Sequence, residues 1–234
     1  MGSVQPTADP VAAGSRTDLR IARAVFVFIV ATTLAGFAKN FYLRPWFGTR
    51  HLIPSAWLHG FVMSAWLVLF AGQVILVALG RVDLHRRVGR VGGWLAAVVV
   101  IVGVLTIEVR ANLAFPNASL ARYALVFVAF DGLSLLLFGV LVTAALRARR
   151  IAGIHRRLMT FAMVALLPPA FGRFLAYFTQ ADIEVAVLAL MVLTAAAVVA
   201  VDARRLGRVP RASLVPAVLI ALVNVATCYA QRSM

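Results

Sequence analysis

The sequence predicts an all-α integral membrane bundle of seven transmembrane helices, with its amino terminus in the cytoplasm and its carboxy terminus in the periplasm. Three observations carry that expectation. The 234 residues are 63% hydrophobic and 13% charged, against roughly 45–50% apolar and about 25% charged in soluble domains. The apolar residues form long windows near 24–43, 55–80, 91–112, 122–146, 157–178, 185–203 and 213–231, each close to the length of about 20 residues that a spanning helix needs. Basic residues cluster between the windows, dense at every second connection, and such asymmetry sets membrane orientation.

The first 20 residues are polar and contain Pro6, Pro10, Gly14 and Ser15, so 1–20 read as a short disordered cytoplasmic tail and 21–232 as a single transmembrane helical domain. The Met1-Gly2 start resembles a myristoylation signal, but Pro6 stands where that signal requires Ser or Thr. The first window exceeds a signal-peptide core and lacks a small-residue cleavage site, so it counts as a span. The second window is the clearest: from His51 to Gly80 there is no Arg, Lys, Asp or Glu. With the amino terminus inside, sixteen arginines fall in the inner segments and seven basic residues in the outer half. Each inner segment holds at least as many basic residues as any outer one, so the span count and the charge rule agree.

The net charge of +15 does not imply nucleic-acid binding, because no basic face with interleaved aromatics remains outside the lipid. The single cysteine, Cys228, excludes an intramolecular disulfide, a CxxC redox pair and a thiolate cluster. Gly-rich phosphate loops, nucleophile elbows and Ser-His-Asp patterns are missing from the sequence. Gly92-Gly93 reads as close helix packing. Asn117-Ala118-Ser119 fits a glycosylation acceptor where the source has that pathway.

A short echo aligns Leu84-His85-Arg86-Arg87-Val88 with Ile154-His155-Arg156-Arg157-Leu158. It is either the trace of parallel hairpin repeats at 55–112 and 122–178 or the basic chemistry expected at any inner boundary.

Charges inside the hydrocarbon cost about 2.5–3.5 kcal/mol each on insertion scales and face a bundle interior or a cavity. Asp131, nine residues after Arg122, lies about 13 Å into the fourth window at 1.5 Å per residue. Arg173 on the fifth window comes within reach of the same level. Glu108, Lys39 and His59 also fall in the outer half. Two readings stand side by side: Asp131 and Arg173 form a buried pair that locks two helices while Lys39 and Glu108 snorkel, or the group forms an outward-facing polar site. His59, Met63, Trp66, Phe70 and Gln73 follow steps of four and three and so share one stripe of the second span. Pro169, Arg173, Tyr177 and Gln180 share a face of the fifth. Pro168 and Pro169 should kink that helix near mid-membrane and free carbonyls to line a cavity.

The four histidines raise a metal or haem reading. His85 and His155 occupy equivalent places in the two hairpins, where they can serve as axial ligands of a b-type haem. On the outer side His51, His59, Asp131 and Glu108 are metal-ligand types without a metal-binding spacing.

Leu58-His59-Gly60 with Trp66 and Gln73, then Gly80-Arg81 and Leu84-His85-Arg86-Arg87, Phe130-Asp131-Gly132, His155-Arg156-Arg157-Leu158-Met159 and Arg173 together resemble a group of uncharacterised bacterial polytopic membrane proteins. The resemblance covers about residues 24–178. It implies emphasis on His59, His85, Asp131, His155 and Arg173 and implies no reaction type. Arginine outnumbers lysine 22 to 1, which fits a high-GC bacterial source.

The leading expectation is an inner-membrane protein surrounded by lipid, whose outer-half site of His59, Trp66, Gln73, Glu108, Asp131, Arg173 and Tyr177 binds or transports a small or amphipathic ligand. A membrane redox protein holding haem between His85 and His155 is the second reading. An enzyme acting on a lipid or quinone through His59 and Asp131 is the third.

Overall fold

The computed structural model describes residues 10–49, 51–114, 116, 118–179 and 182–233. Among them there is no strand. Helix α1 (Pro10–Phe37) runs through a π-turn (Ala38–Tyr42) into a short α2 (Arg44–Phe47). Seven further helices follow: α3 (Pro54–Ala78), α4 (Val82–Ala114), α5 (Ala118–Arg147), α6 (Ala152–Ala165), α7 (Pro168–Leu175), α8 (Ile183–Leu206) and α9 (Arg211–Arg232). α1 thus begins ahead of the first apolar window, and residues 1–9 lie outside the described residues.

Six stretches are long and apolar enough to cross a membrane: Ala24–Tyr42, Pro54–Ala78, Val82–Leu113, Val128–Arg147, Ile183–Leu206 and Arg211–Arg232. They coincide with six of the seven expected windows. The remaining window is the α6–α7 pair, which bends by 41° and makes a seventh if counted as one span. The bend has the expected cause. Prolines at 168 and 169 carry no N–H, so the Ala165 carbonyl loses its helical donors at both the third and fourth following residues. Leu166 and Leu167 tighten the turn by donating to Met163 and Val164 at 3.2 and 3.0 Å.

Side chains are distributed as a lipid solvent requires. Trp94, Val68, Leu136, Leu193 and Leu222 are exposed on the bundle's outside, where water would make so much apolar surface unstable. Among the buried residues are Ser134, Asp202, Ser213, Asn224 and Thr227. Hydroxyls of Thr33, Ser64, Thr106, Thr194 and Thr227 bond the carbonyl four residues earlier at 2.7–2.8 Å, which satisfies them without a neighbour.

Phe138, Phe161, Leu167, Met191 and Ile220 form the fully buried centre. α3 packs on α4, α4 on α5, α5 on α6, α7 on α8 and α8 on α9, while α9 also lies against α5 and α6, and α1 lies against α7. The α1–α7 approach needs Gly36, because a Cβ there would overlap the Ala170 backbone. Two contacts show which ends lie together. The His85 ring meets the His155 ring, and Arg157 of α6 binds Asp202 near the end of α8. The turns at 79–81, 148–151 and 207–210 therefore share one arginine-rich end.

Candidate functional site

Polar side chains gather at two places, one at each end of the bundle. At the end remote from the arginine-rich turns, a cavity of about 390 Å³ lies between α4, α5, α7, α8 and α9. Arg110, Asp131, Arg173, Glu184, Asn224, Thr227 and Gln231 bring polar groups to its wall, beside Pro168, Pro169 and Cys228. The proline break places Arg173 here, since it lets α7 turn away from the α6 axis. Arg173 donates to the Pro169 carbonyl at 3.0 Å and stacks over the Phe37 ring at 4.7 Å. Asn224 donates to Ile220 at 2.8 Å within its own helix, leaving its side-chain oxygen as an acceptor.

The direct Asp131–Arg173 pair is not formed. The ion pairs among the described residues are Arg157–Asp202 and Arg232–Asp182. Asp131 and Arg173 instead face each other's field across the cavity, with Arg110 acting on both. Such a wall offers guanidinium donors and carboxylate or amide acceptors to one molecule, and that arrangement can bind and orient a ligand.

The other expected site residues divide by physical cause. Trp66 is only 2% exposed and donates its indole N–H to Met163 Sδ at 3.0 Å, edge-on to Phe138; it is core packing. His59 does not line the cavity, although Arg173 and Arg110 are its charged neighbours. Its Nδ1 is buried without a hydrogen bond. Glu108 is exposed and points away from Arg110, as two residues of helix rotate a side chain by about 200°. Tyr177 donates to the Gly36 carbonyl at 3.1 Å and lies under Lys39, 4.3 Å from ring centre to Nζ, so it ties α7 to α1. Gln180 lies outside the described residues, as does Asn117. Gln73 belongs to the opposite end. It shares the inward stripe with His59, but fourteen residues of helix separate them by about 21 Å, so one stripe serves two ends.

Gln73 stands beside the second polar group, His85 and His155. A Cβ on Gly89 would meet Gln73 Oε1 at 3.4 Å, and the Gln73 backbone lies by the His85 ring. The two imidazoles have centres 6.2 Å apart and planes at 79°. His155 Nδ1 is 2.8 Å from the Ala145 carbonyl. No group of three or more His, Cys, Asp or Glu side chains able to hold a bare metal ion occurs among the described residues, so His51, His59, Glu108 and Asp131 do not assemble as ligands.

Arg110, Glu184, Asn224, Thr227 and Gln231 escaped the sequence reading. Arg110 resembled a boundary charge. Asn224, Thr227 and Gln231 recur at steps of three and four on the last span, a polar stripe visible in the sequence once the apolar count is set aside.

Fold and site together define a polytopic helical membrane protein with charged groups lining a cavity between its helices. No family model, curated protein or solved structure matches the chain.

Proposed function

We propose that this is a seven-span protein of a bacterial inner membrane that binds or transports a small or amphipathic ligand in the cavity between α4, α5, α7, α8 and α9. The observation that carries the reading is the convergence of Arg110, Asp131 and Arg173 from three helices on a 390 Å³ space, with Asp131 unpaired among the described residues. Ionisable groups at such depth mark functional sites by default, and the volume falls within the range of about 300–1,000 Å³ of small-molecule pockets. Orientation rests on the arginine-rich turns, which share one end and on the positive-inside rule face the cytoplasm. The cavity then opens toward the periplasm.

The test is native mass spectrometry of protein extracted in mild detergent and exposed to a lipid and metabolite extract of its host. The wild type should carry a bound mass that Asp131→Asn and Arg173→Gln remove and Glu108→Gln retains. A bare wild type, or a bound mass indifferent to both cavity substitutions, overturns the reading.

A further inference from the structure

We propose that His85 and His155 are the axial ligands of a haem held at the arginine-rich end. The two residues lie on different hairpins, seventy positions apart, yet their ring centres stand 6.2 Å apart with near-perpendicular planes. Two imidazoles bonded to one metal at about 2.0–2.1 Å per nitrogen stand roughly 6 Å apart between ring centres. A carbonyl can only accept, so the 2.8 Å contact of His155 Nδ1 with Ala145 makes that nitrogen the donor. It leaves Nε2 with the free lone pair, the arrangement by which proteins fix a ligating histidine.

The surroundings favour a macrocycle over a bare ion. With only two histidines and no third His, Cys, Asp or Glu gathered beside them among the described residues, a metal here needs its other positions filled by something other than the protein. A porphyrin supplies four nitrogens. Gly89 and Gly93 follow His85 by one and two turns on the same face of α4, where Gln73 and Leu146 pack against the bare backbone at 3.4 and 3.5 Å from the place of a Cβ, so these two side chains must turn aside for a macrocycle. Both polar atoms of Gln73 are buried without hydrogen bonds, and orphaned buried groups mark a place where another polar group belongs. Haem propionates are anions, and Arg86, Arg87 and Arg156 stand within two residues of the histidines.

The experiment is the absorbance spectrum of the full chain purified from cells supplied with a haem precursor, oxidised and then reduced. A Soret band that shifts on reduction is expected in the wild type and in His59→Ala, and its loss in His85→Ala and in His155→Ala. Size-exclusion profiles separate loss of haem from loss of fold. His85→Gly with added imidazole should regain the band, which a merely structural histidine would not do. A wild type with no Soret band that also fails to bind added haemin overturns the proposal. So does a band that persists at full intensity in both single alanine variants, since that is haemin held by the arginines alone.

Discussion

Asp202→Ala is expected to cost about 3–5 kcal/mol of stability in detergent, the usual cost of removing one partner of a buried ion pair. Arg157 Nε donates to Asp202 Oδ2 at 3.0 Å, and the side chains are 11% and 7% exposed. Ser213 donates its hydroxyl to the same oxygen. Arg157 Nη1 also donates to the Gly153 carbonyl at 2.8 Å, so one carboxylate ties the starts of α6 and α9 to the end of α8. Without it Arg157 keeps its charge and loses its counter-charge in an apolar setting. A double change to Arg157→Met and Asp202→Leu should recover most of the loss, because apolar groups of similar volume replace buried pairs at little cost. Thermal unfolding followed by size exclusion checks both. A loss below about 1 kcal/mol for Asp202→Ala, the level of an exposed pair, would show that the network is solvated.

Arg173→Ala is expected to cost about 2–5 kcal/mol, from a charged hydrogen bond of about 1.5–3 kcal/mol and a cation–π contact of about 0.5–2 kcal/mol. Those partners, the Pro169 carbonyl and Phe37, are not Asp131. Adding Asp131→Asn should therefore recover only a small part of that loss, the part that comes from the field between the two charges. Recovery of most of the loss in the double variant would mean that the two charges form a locking pair, contrary to the geometry.

The sequence disclosed the spans because burying polar backbone in lipid forces long apolar helices, and a run such as 51–80 has no other reading. The break at Pro168-Pro169 was equally legible, since two missing N–H groups in succession leave a carbonyl without a helical donor. Arg173 and Asp131 were found for the same reason: a charge in an apolar window is conspicuous. Depth was harder to read. The stripe of His59, Trp66 and Gln73 gives direction around α3 but not height along it, and the three side chains end in the far end, the core and the arginine-rich end respectively. Arg157 and Asp202 were hidden because a charge near a span's end looks like boundary chemistry until a partner 45 residues away is placed beside it. Arg110 was hidden in the same way.

Cys228 gives the most direct test of the central claim, a cavity with charged groups in its wall that opens on the side away from the arginine-rich turns. It is the chain's single cysteine, and it lines that cavity. A membrane-impermeant anionic methanethiosulfonate should modify it in right-side-out spheroplasts and not in inverted membrane vesicles, as read by the mass of the intact protein. Modification in inverted vesicles alone would reverse the orientation, and a thiol untouched from both sides would contradict an open cavity.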